Sequence, residues 1–202
     1  LMHDSSGFGM QGSWRRSLLD EYHRHILLNW RIWGSASVTT ATAHLRALTR
    51  RVKEMPALYR RTWSVSGVVQ AVILYSGEAH ISRWGAADPD AAGTEAHASV
   101  SKLLCDLILL AEALTGEQAT PDEIRALVLL VKVISTNSAI SHMPEVTVTA
   151  VLCLLRCAEH VWGTVLRVLQ ESGAWAMFLE LVHREQEGLV AVAIRAVAHW
   201  LR

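Results

Sequence analysis

The sequence predicts an all-α fold, helix pairs stacked into a solenoid, and three observations predict it. Apolar residues recur at spacings of three and four along most of the chain, as they do on one face of a helix. The breaks between these stretches are mostly short and carry Gly, Pro, Ser or Thr. From Thr120 onward the pattern is helix, short break, helix, with no alignable sequence repeat, as in a degenerate α-solenoid.

Composition narrows the classes further. With 202 residues the chain suits one substantial domain. Lys plus Arg and Asp plus Glu number 19 each, so no bulk charge draws the whole surface to nucleic acid or anionic lipid. Apolar residues make up 51% and mean hydropathy is +0.23, yet no uninterrupted apolar run approaches the roughly 20 residues that span a bilayer. The excess apolar surface points to contact with more protein. Cys105, Cys153 and Cys157 lie within periodic stretches, an odd number without framework spacing, which indicates a reducing compartment. No secretory signal pattern opens the chain.

The elements follow in order. Residues 1–16 read as a flexible lead, and residues 17–202 as the helical domain. Leu18, Leu19, Tyr22, Ile26 and Leu27 form the first stripe, which stops near Gly34. The run Ile26-Leu27-Leu28-Asn29-Trp30-Arg31-Ile32-Trp33 reads as a buried packing corner in preference to a cation–π clamp on Arg31. Ser35 or Ser37 caps a helix with the stripe Ala41, Leu45, Leu48, Val52 and Met55. Pro56 breaks the chain, a short helical turn carries Tyr59 and Trp63, and residues 67–75 turn Val68, Val69, Val72 and Ile73 inward. Residues 76–94, with Gly77, Gly85, Pro89 and Gly93, read as an irregular loop, and loops of that length tend to be functional or disordered.

The centre of the prediction is an apolar helical hairpin over residues 98–134. Val100, Leu103, Leu104, Leu107, Ile108, Ala111 and Leu114 form its first face, widened by Leu109, Leu110 and Cys105 until most of the circumference is apolar. After Gly116, Thr120-Pro121-Asp122-Glu123 spells a reciprocal capping box with proline at the first helical position. Helices are expected from Pro144 to Ala158, over 161–171 with Gly173 as a left-handed cap, and over 175–184 and 189–202. The chain ends within an apolar pattern, at Val197, Trp200 and Leu201, as a fragment of a longer array would.

The corner run, the polar break after it and the helix containing Ala43-His44-Leu45 with a basic end resemble the helical region upstream of the BEACH domain in neurobeachin-type proteins. The resemblance continues through Val68 to Tyr75 and the Leu103 and Val128 helices, over roughly residues 20–202. Arg31-Ile32-Trp33 is its most specific part. Asn29-Trp30 departs from the family pattern, which has an acidic and a phenylalanyl residue there. The resemblance implies an armadillo-like α-solenoid within a large cytoplasmic protein of vesicle traffic and membrane-protein sorting, acting as a scaffold.

Chemistry-bearing clusters are sparse. Cys153, Cys157 and His160 share a helical face, but their spacing suits no common zinc motif, and cysteine packs as a small hydrophobe. No phosphate loop, nucleophile elbow or His-Glu-x-x-His motif occurs. Neither enzyme activity, a cofactor, a metal nor a small-molecule substrate is therefore expected. Arg46, Arg50, Arg51, Lys53, Arg60 and Arg61 place six cations within sixteen residues, opposed only by Glu54. With Arg83 and Trp84 in the irregular stretch they are the candidate partner-binding residues, for an acidic protein segment, an adjacent domain or an anionic membrane surface. The competing readings are a solvated face and a purely structural spacer. Without aromatics alternating through the patch or a groove-entering motif, nucleic acid is not an expected partner.

Overall fold

The computed structural model describes residues 6–86, 93–116 and 119–184. These are helical almost throughout, and no strand occurs among the described residues. Helix α1 spans Ser6–Tyr22, so residues 6–16 of the expected flexible lead belong to a helix. It runs into a π-helical turn, His23–Leu27, closed by the Leu28 amide donating to the His23 carbonyl at 3.0 Å. Helix α2, Trp30–Ser35, starts under an Asn29 cap that accepts from the Arg31 amide at 3.1 Å.

Helix α3 is Val38–Glu54, with Ser37 rather than Ser35 as its cap, accepting from the Thr40 amide at 3.2 Å. Ala41, Leu45 and Val52 are buried; Met55, expected on the same stripe, lies beyond the helix end and is exposed. Helix α4 is Pro56–Arg60 and α5 is Val65–Tyr75, capped by Ser64. Helix α6, Glu78–Ala86, occupies much of the stretch expected to be loop. Gly77, a helix breaker by residue type, instead opens this helix, its carbonyl accepting from the His80 and Ile81 amides. Ile81 and Trp84, three residues apart, give α6 its buried side. The remainder of that expected loop up to residue 92, and the helix expected over 189–202, lie outside the described residues.

Helices α7, Gly93–Thr115, and α8, Pro121–Thr136, are the two long apolar helices of the prediction. Gly116 leaves α7 at φ 58°, the left-handed conformation glycine adopts without penalty. The capping box of α8 is present in full: Thr120 Oγ1 accepts from the Glu123 amide at 3.3 Å, and Glu123 Oε2 accepts from the Thr120 amide at 2.7 Å. A 3₁₀ turn at Ser138–Ile140 leads to α9, Pro144–Glu171. One non-helical residue, Val161 (φ −139°, ψ 35°), breaks α9 where the sequence suggested two helices. Gly173, φ 63°, closes α9 with both bonds of a Schellman motif, Ala174 N–H to Leu169 O and Gly173 N–H to Gln170 O. Helix α10 is Trp175–Arg184.

The packing corrects the hairpin. Helices α7 and α8 do not lie chiefly along one another; each packs on α5 and α9. The pairs are α5 with α7 and α8 with α9, so α3, α7 and α9 form one layer and α5 and α8 the other. The link over residues 116–120 crosses from one pair to the next. An all-round apolar helix such as α7 needs cover from several sides, and α3, α5, α6 and α9 supply it. Leu103, Leu104, Leu107, Ile108, Leu110 and Leu114 are at most 1% exposed at this centre.

Candidate partner-binding face

The basic cluster divides once α3 is folded. Arg46, Arg50 and Lys53 stand at i, i+4 and i+7 on one face of α3, beside its buried stripe and toward α7. With Thr49 and Glu54 they wall a groove of about 610 Å³ whose α7 side is Asp106 and Leu109. Arg46 Nε donates to Asp106 Oδ2 at 3.0 Å. The Asp106 carboxyl is nearly buried, and burial pushes its pKa above the ordinary value, an effect that Arg46 opposes. Arg50 and Lys53 are exposed and form no ion pair among the described residues.

The other three cations lie elsewhere. Arg51 is exposed about 100° around the helix from Arg50, on the far side of the buried stripe. Arg60 reaches Glu123, the capping residue of α8, at 3.5 Å. Arg61 lines a separate depression of about 530 Å³ with Arg16, Ser17 and Asp20 of α1. A further depression of about 400 Å³ continues the α3–α7–α9 layer beyond Lys53, lined by Glu112, Ala113, Arg156 and Glu159 among others. Arg156 there pairs with Glu112 at 3.1 Å.

Trp84, expected as a partner anchor, is instead a core residue, 3% exposed, with its indole N–H donating to the Trp33 carbonyl at 3.1 Å. Arg83 beside it is exposed. At the corner, Arg31 and Ile32 are exposed while Trp33 is buried. The Trp33 indole donates to the Leu27 carbonyl at 3.0 Å, and the Tyr75 hydroxyl donates to the same oxygen at 2.8 Å. Beside this corner an apolar cavity of about 330 Å³ opens between Tyr22, Ile26, Ile32, Trp33 and α3. Tyr22 is hydrogen-bonded to His44 at its edge.

Sequence reasoning missed Asp106 and Leu109 as groove residues. The one carboxylate within the apolar run from Leu103 to Ala111 was the available signal, because such a group needs a partner or a rim position. Cys153 and Cys157 are buried core residues, and no group of three or more metal-ligating side chains occurs among the described residues. No described helix is long and apolar enough to cross a membrane.

Two layers of paired helices with a polar, grooved outer face define an α-solenoid. The chain matches, over residues 9–201, the family model described as the Neurobeachin/BDCP, DUF4704 alpha solenoid region, and it belongs to that family. Neither a comparison with curated proteins nor one with solved structures gives a match.

Proposed function

We propose that the chain is a non-catalytic scaffold and protein-interaction module of a large, cytoplasmic neurobeachin-like BEACH protein that serves vesicle traffic and membrane-protein sorting. The observation that carries this reading is the α3–α7–α9 layer, with two adjacent depressions and exposed cations set on a rigid helical frame. A solenoid offers such a surface by shape, with stacked repeats fixing its side chains relative to one another. The trafficking context is drawn from the family, since fold alone does not specify function.

The test is affinity capture with this chain from cytosol and from detergent-solubilised membranes, beside variants reversing Arg50, Lys53 or Arg61. A reproducible protein partner, lost in at least one variant that still folds, is the expected result. Capture of nothing by a folded chain points to a structural spacer. Binding only to lipid places the module among peripheral membrane surfaces.

A further inference from the structure

We propose that the groove between α3 and α7 binds a short acidic peptide segment carrying an aliphatic side chain, a proposal that rests on the interaction-module reading and narrows it. Arg50 and Lys53 take the segment's carboxylates, and Leu109 takes its aliphatic group. Four observations converge on this occupant.

Arg50 and Lys53 stand one turn apart on the α3 wall, exposed, and without an ion pair among the described residues. Arg46, at the end of the same row, is already committed to Asp106 at 3.0 Å, which sets where the free positive charge begins. Leu109, partly exposed, faces them from α7 and gives the groove an apolar floor. The groove, at about 610 Å³, is a recess between two helices and so fits an extended or helical segment.

An anionic membrane is the less suitable occupant. Lipid-binding patches present about four to eight cations on one surface. Here the two free cations share their recess with Glu54 and Asp106, and Arg51 is turned to the other side of α3. Such a layout discriminates among peptides, because an acidic residue out of register meets Glu54 or Asp106.

Fluorescence anisotropy of this chain with a fluorescein-labelled peptide of glutamates flanking two leucines tests the proposal. The comparison probes are the same peptide with serines for leucines, the same peptide with glutamines for glutamates, and phosphatidylserine–phosphatidylcholine vesicles. The leucine–glutamate peptide is expected to bind best. The double variant Arg50→Glu, Lys53→Glu weakens it by about tenfold or more, whereas Arg51→Glu leaves it within about twofold. Leu109→Ala erases the preference for leucine over serine. All substituted positions are solvent-accessible, and a circular dichroism melt confirms that each variant folds.

Equal weakening by Arg51→Glu shows undirected attraction and overturns the groove. Vesicle binding without peptide binding overturns it in favour of a membrane surface, and binding to none of the probes overturns it outright. A captured cellular partner that the double variant retains overturns the groove while leaving the interaction-module reading standing.

Discussion

The Tyr75 hydroxyl donates to the Leu27 carbonyl at 2.8 Å, joining the end of α5 to the π-helical turn 48 residues earlier in the chain. The same carbonyl accepts from the Trp33 indole at 3.0 Å, and the Tyr75 ring packs tilted between Trp33 and Trp84, with centroids at 6.1 and 5.6 Å. One oxygen thus gathers the N-terminal corner onto the solenoid. Burial pushes the Tyr75 hydroxyl far above its ordinary pKa, so it remains a donor throughout the working pH range.

Tyr75→Phe removes one donor but leaves Leu27 its Trp33 bond, so the expected cost is about 1 kcal/mol. Tyr75→Ala also opens a cavity among Trp33, His80 and Trp84 and is expected to cost about 3–5 kcal/mol. Urea denaturation measures both, and equal losses in the two variants contradict the two-donor arrangement.

Gly67 makes room for His23. A Cβ at position 67 would stand 2.9 Å from His23 Cε1, closer than side-chain carbons approach one another, and His23 is held from behind by stacking on Trp63 at 5.2 Å. Gly67→Ala should therefore destabilise the chain by about 1–3 kcal/mol despite alanine's better helix propensity. In a His23→Ser background the same substitution should cost far less. A double-mutant cycle showing additivity removes the proposed contact.

His23 is also an acid-sensitive group. It is buried, its Nε2 has no hydrogen-bond partner among the described residues, and desolvation holds its pKa below the ordinary 6.5, with Asp20 pulling upward and Arg24 downward. Below pH 6.5 the unfolded chain takes up this proton and the folded one resists it. The contribution is therefore full above 6.5 and is lost as pH falls. His80, lowered by burial and by Arg83, acts in the same direction. His23→Gln should flatten the decline in stability on acidification without abolishing it. The measurement is denaturation midpoint against pH for both proteins, and superimposable slopes rule His23 out.

Helix ends were legible because their signals are local. Thr120 and Glu123 cap one another within four residues, and Gly173 stands where the chain needs a positive φ. The Trp33 corner was legible for its density of large apolar groups. Partnership between helices was not, because a periodic stripe states that a face is covered but not by what. So α7 and α8, neighbours in sequence, were paired, while the covering helices were α5 and α9. Trp84 was misplaced because glycines around α6 outweighed the Ile81–Trp84 spacing. The basic cluster was visible as composition, but its division between faces depended on helical phase and on Asp106, 60 residues away from Arg46.

Adjacent positions 106 and 107 give the sharpest test of the central helix. Both lie within the apolar run of α7, about 100° apart around its axis. Asp106 sits at the groove edge, where Arg46 meets its carboxylate and burial still disfavours the charge. Asp106→Asn removes that disfavoured charge along with the pair, so the melting temperature should move by only a few degrees. Leu107, 1% exposed, lies in the hydrophobic core. Leu107→Asp leaves an unpaired charge or a neutralised, unbonded acid there, a cost of several kcal/mol against a total stability of about 5–15 kcal/mol. The expected result is loss of the cooperative transition in Leu107→Asp and its retention in Asp106→Asn. A cooperative melt near the wild-type temperature for Leu107→Asp would contradict the placement of α7 at the centre of the two layers.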